Sequence, residues 1–121
     1  MPEIKLISER TGIVHGTDVI KREYVVDDCY NIHREIFGEN IEYFSIKVLK
    51  RNEYIPQLYV EEDVMEDLIY GFAIQTTSYG SLEKVEIRKM IKGYQYALDV
   101  VELLEKEFAS SLSKRPKSNW H

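Results

Sequence analysis

Residues 83–108 read EKVEIRKMIKGYQYALDVVELLEKEF, and the spacing of their apolar side chains decides the fold class. Ile87, Met90, Ile91, Tyr94, Ala97, Leu98, Val101, Leu104 and Phe108 recur at intervals of three and four. At ~100° per residue this stacks them on one stripe of an α-helix. The spacing predicts a helix from about Glu83 to Phe108, packed by that stripe across a sheet and leaving Arg88, Lys89 and Lys92 on its exposed side. Gly93 lies inside it at a cost of about 1 kcal/mol relative to alanine, which predicts a close approach of another backbone or of a partner.

Working upstream, Ser78-Tyr79-Gly80-Ser81 separates this helix from a strand over Leu68 to Thr77. There Leu68, Tyr70, Phe72, Ile74 and Thr76 alternate with Ile69, Gly71, Ala73, Gln75 and Thr77. Both faces are apolar as far as Gln75, which suits a central strand. Ile41 to Leu49 places Phe44, Ile46 and Val48 on one face, and with Ile55 to Val60 it reads as a β-hairpin, Pro56 assigning the second strand to an edge or a bulge. Glu61-Glu62-Asp63 reads as an acidic turn leading to a helical turn around Val64 to Asp67.

A short helix is expected after Asp27 or Asp28, either of which can cap it. Cys29, Ile32, His33, Ile36 and Phe37 line one face, and Gly38 is the left-handed stop. At the N-terminus, Ile4 to Ile7 and Ile13-Val14 flank Glu9-Arg10-Thr11-Gly12 as a small hairpin. His15 to Asp18 is the next turn, and Val19 to Val26 is a third strand whose alternation Arg22 spoils. The fold expected is α+β: a curved, mainly antiparallel sheet of five or six strands with the short helix inserted and the long C-terminal helix packed on one face. A PUA-like partly closed barrel is a variant of it. Residues 1–109 form the single domain and residues 110–121 a flexible basic tail.

Composition agrees with one folded unit. A chain of 121 residues buries roughly two thirds of its unfolded surface, enough to need no disulfide or structural metal. Nine tyrosines argue against disorder, and the single cysteine, Cys29, forms no internal disulfide, which points to a reducing cytoplasm. Neither a signal peptide nor a run of ~18 apolar residues is present, so no membrane span is expected. Net charge is −5, and because Lys114, Arg115 and Lys117 follow the last acid, residues 1–108 carry −8. Such a body has no overall attraction for nucleic acid, which leaves local basic patches to provide one.

Three groups of residues are candidates for function. Lys84, Arg88, Lys89 and Lys92 form a basic stripe on the long helix, with Tyr79 and Tyr96 available to stack bases. The plain alternative is the solvated side of an amphipathic helix. Glu61, Glu62, Asp63, Glu66 and Asp67 crowd five acids into seven positions without the alternating ligands and glycine of a calcium loop. They are either a solvated loop or an acidic patch that docks a basic protein or mimics nucleic acid, with Asp27, Asp28, Glu39 and Glu42 as extensions. Cys29 and His33 are four apart on the expected short helix, too few ligands for zinc and a weak thiol–imidazole pair. No GxGxxG, P-loop, GxSxG or RNA-binding signature occurs, and neither cofactor nor metal is expected.

The run from Ile74 to Phe108, IQTTSYGSLEKVEIRKMIKGYQYALDVVELLEKEF, together with the Lys-, Glu-, Ile- and Tyr-rich composition, resembles small proteins of Gram-positive plasmids, conjugative elements and phages. Among these, PrgU-type regulators of pheromone-responsive conjugative plasmids are similar in length. The resemblance implies a PUA-like, RNA-associated fold and a role in limiting surface-adhesin expression. The leading expectation is therefore a non-enzymatic regulatory protein that binds RNA or a protein. An acidic inhibitor or nucleic-acid mimic comes second, and a small hydrolase or thiol enzyme third. Whether the chain is a monomer or a homodimer is open, since so wide an apolar stripe serves either its own sheet or a twin.

Overall fold

The computed structural model describes residues 1–39, 41–49, 54–63, 68–76 and 80–114, with the backbone alone for residues 62, 63, 68–70 and 109–114. Strands β1 (Ile4–Val14), β2 (Thr17–Val26), β3 (Tyr30–Phe37) and β4 (Ile41–Val48) form an antiparallel sheet in sequence order. β5 (Leu58–Asp63) and β6 (Leu68–Ile74) form a second, two-stranded antiparallel sheet, and α1 (Lys84–Lys114) ends the described chain. The expected α+β class with a long C-terminal helix is what the chain adopts. The described strands lie in two sheets with no closure into a barrel.

Alternation explains the larger sheet. Tyr24, Ile32 and Ile46 lie side by side across β2, β3 and β4, as do Val26, Tyr30 and Val48. This face meets Leu58 of β5, Phe72 of β6 and the Ala97, Val100, Val101, Leu104 and Phe108 side of α1 in one core. The opposite face carries Lys21, Glu23, His33 and Glu35, linked by ion pairs. Burying Leu104 or Ile32 completely contributes about 2 kcal/mol each. Phe108 joins Tyr24, Phe44 and Phe72 in an aromatic cluster with centroids 5.2–6.2 Å apart.

Several sequence expectations are corrected. The residues after Asp28 form strand β3, not a short helix. Tyr30, Ile32, Arg34 and Ile36 also alternate with period two, and β2 and β4 pair with this segment on both sides. Asp27 and Asp28 have φ of 49° and 57° and shape the β2–β3 turn, with the Cys29 amide donating to the Val26 carbonyl at 2.9 Å. Short Asp side chains tolerate this left-handed region, so the residues that suit a helix cap suit a turn equally well. Gly38, at φ 59°, turns the chain between β3 and β4 instead of ending a helix.

The N-terminal hairpin at Glu9–Gly12 is replaced by one long strand. Its turn is His15-Gly16, both at positive φ, as a tight hairpin of matching twist requires. That choice pairs β1 with β2 along its full length, with one irregularity between Leu6 and Ser8. Arg22, which interrupted the alternation of β2, faces Glu9 of β1 at 3.1 Å and so remains on the packed side as an ion pair. β5 pairs with β6 and not with β4, and Pro56 precedes it. β6 is paired on one side, to β5, among the described residues, so it is not the central strand expected. Glu61 to Asp63 continue β5, with an irregularity between Glu61 and Glu62, where an acidic turn was expected. The helical turn expected around Val64 to Asp67 lies outside the described residues, and α1 continues through Ser110 to Lys114, past the expected start of the tail.

The apolar stripe of α1 is also corrected in part. Ala97, Val101, Leu104 and Phe108 are buried, together with Val100, but Ile87, Ile91 and Leu98 are 44, 63 and 43 % exposed. The helix has turned its apolar arc so that Val100 faces the core and the outer edge of the stripe is left uncovered.

Candidate functional site

Gly93 fixes where α1 meets the segment before β5. A Cβ built on it would overlap the Tyr54 carbonyl oxygen and lie 2.8 Å from the carbonyl carbon, so a bare backbone is required there. This is the close approach that a glycine inside a strong helix predicts. Two residues on, the Pro56 carbonyl accepts the Tyr30 hydroxyl at 2.7 Å, which anchors the same segment to the larger sheet.

The segment and the helix leave between them an open cleft of about 540 Å³, lined by Cys29, Tyr54, Ile55, Lys89, Lys92, Gly93 and Tyr96. Spacings of three and four place Lys89, Lys92, Gly93 and Tyr96 on neighbouring turns of one helical face. The Lys89 ammonium is 5.4 Å from the centre of the Tyr54 ring. Tyr96 stacks on Tyr30 with 12° between planes and 6.2 Å between centroids. Its hydroxyl donates to Asp27 Oδ2 at 3.0 Å, while Asp27 Oδ1 accepts the Glu3 amide at 3.1 Å. Burial, then the hydrogen bonds to Asp27 and Cys29, raise the Tyr96 pKa far above the ordinary phenol value. Burial raises that of Tyr30 as well, with the Cys29 charge adding to it. Both phenols are therefore neutral at physiological pH, and among the described residues the cations facing the cleft are those of Lys89 and Lys92.

Of the basic stripe, Lys89, Lys92 and Tyr96 converge on this cleft; Lys84 and Arg88 are exposed but do not line it. Tyr79, Glu66 and Asp67 lie outside the described residues, as do the side chains of Glu62 and Asp63. Glu61 is exposed on β5. The proposed extensions are separated by β3, with Asp27 and Asp28 at its start and Glu39 beyond its end. Glu42 is taken up by Arg34, whose Nη2 donates to Glu42 Oε1 at 2.5 Å, with the guanidinium 5.1 Å from the Phe108 ring centre.

Cys29 and His33 do not form the pair that a helix would have made of them. Cys29 lies in the β2–β3 turn beside the cleft, whereas His33 is within β3 with Nε2 2.9 Å from Glu35 Oε1 and Nδ1 3.7 Å from Glu23 Oε1. Four residues of extended chain separate them by about 13 Å. Among the described residues no group of His, Cys, Asp and Glu is arranged to hold a metal, and no helix is long and apolar enough to cross a membrane. Sequence reasoning missed Tyr54 and Tyr30, and assigned Asp27 to a helix cap and an acidic patch instead of to the Tyr96 hydroxyl. Gly93 signalled that something would pack there, but nothing in the chain named Tyr54 as its neighbour.

Compared with protein-family models, with curated proteins and with solved structures, the chain gives no match.

Proposed function

We propose that this is a non-enzymatic RNA-binding protein that takes a nucleotide unit of a single strand in the cleft beside Gly93. The observation that carries the reading is the convergence of Lys89 and Lys92 with the rings of Tyr54 and Tyr96 on one concave surface. A nucleotide presents a planar base and an anionic phosphate, and a site for it combines a ring to stack on with a cation for the phosphate. The cleft volume of about 540 Å³ suits a ligand of that size. Two cations and one stacked base give weak, salt-sensitive binding, which fits a regulator better than an enzyme. From the sequence resemblance to PrgU-type regulators we propose a mobile element as the setting of such a protein.

The test is fluorescence anisotropy with short single-stranded RNA beside free mononucleotides. RNA binds at low salt, and Lys89→Glu with Lys92→Glu weakens it by roughly two orders of magnitude, each reversed phosphate contact contributing about 1–2 kcal/mol. Binding of mononucleotides with equal affinity and no gain from the strand would replace RNA by a free nucleotide as the ligand. Absence of binding by either at low salt would end the proposal.

A further inference from the structure

Ile87, Ile91 and Leu98 are exposed within about 40° of one another around α1, roughly opposite Lys89, Gly93 and Tyr96. The charges flanking them divide by position along the helix. Lys84 and Arg88 flank the first half, and Glu102 and Glu105 flank the second, which stays net acidic beside Lys106; these four are exposed. Among the described residues none of these four is in an ion pair. An apolar strip that is basic at one end and acidic at the other is complementary to itself when turned end for end.

We propose that two copies of this chain pair through this strip, their α1 helices antiparallel about a two-fold axis near Tyr94 and Gln95. The register sets Ile91 level with Leu98 of the partner subunit and Lys84 level with Glu105 of the partner subunit. Arg88 then lies within one residue of Glu102 of the partner subunit. Symmetry makes each contact twice, and the overlap from Lys84 to Glu105 spans about 33 Å of helix. Parallel pairing would set Lys84 and Arg88 against their own copies, so charge selects the antiparallel arrangement. The pairing does not rest on the RNA reading: it uses the side of α1 away from the cleft and leaves Lys89 and Lys92 of both subunits facing outward.

Sedimentation velocity tests it. The wild-type protein sediments as a dimer, and Ile91→Asp with Leu98→Asp halves the mass while circular dichroism retains the helix, since both side chains are exposed. Lys84→Glu with Arg88→Glu, and separately Glu102→Lys with Glu105→Lys, each raise the dissociation constant at least about ten-fold. Mixing the two charge variants in equal amounts restores a dimer, because every like-charge contact becomes an opposite one. A wild-type monomer, a dimer that survives the Asp pair, or a mixture that stays monomeric would overturn the proposal; the mixing result decides the matter even if the Asp variant fails to fold.

Discussion

A methyl group at position 93 would have to occupy the space of the Tyr54 carbonyl oxygen, so the helix and the 54–57 segment could not both keep their places. Gly93→Ala, which elsewhere in a helix gains about 1 kcal/mol, is expected here to cost about 2 kcal/mol or more in urea unfolding. The same substitution weakens RNA binding, because Tyr54 is displaced from the cleft. Arg34 and Glu42 make a second such point. Their side chains are 12 and 16 % exposed, and Glu42 Oε2 is buried without a hydrogen-bond partner among the described residues. Arg34→Ala strands that carboxylate and is expected to cost about 3 kcal/mol, while replacing both residues with apolar ones of similar volume recovers most of it.

The phenols supply a pH test at the same scale. Tyr30 and Tyr96 have raised pKa values in the folded protein relative to the ordinary phenol value of 10.0. Above that value the unfolded chain loses these protons while the native state keeps them, so the unfolded state is favoured. The contribution is complete below pH 10 and is lost as pH rises beyond it. Ultraviolet titration should find the phenols of Tyr30 and Tyr96 ionising only with alkaline unfolding. Tyr96→Phe should shift the onset of that unfolding upward.

At the scale of elements, α1 and β4 were legible because each has one period and one packed face. Phe44, Ile46 and Val48 face the core as their alternation requires. β3 was not, because Ile32 and Ile36 satisfy both a helical and an extended period, and local spacing cannot register the β2 and β4 partners that decide between them. β5 was assigned the wrong neighbour for a related reason. Chain proximity favoured β4, whereas β6 provides its ladder from Leu58↔Ile74 to Asp63↔Leu68. At the site, Lys89, Lys92 and Tyr96 could be named from helical spacing, since they share an element. Tyr54 comes from outside the helix and reaches the cleft through tertiary packing, as Asp27 reaches the Tyr96 hydroxyl behind it.

For the molecule as a whole, a net charge of −5 opposes any polyanion at long range, so the proposed binding of RNA rests on local cations, those of Lys89 and Lys92 in the cleft. The salt dependence of affinity counts them. Two phosphate contacts on a single strand give a slope of log K against log salt of about −1.4. The account predicts that slope for the wild-type protein, and a slope near zero with weaker binding for Lys89→Gln with Lys92→Gln. A wild-type slope left unchanged by that pair, or no RNA binding at low salt, would contradict it.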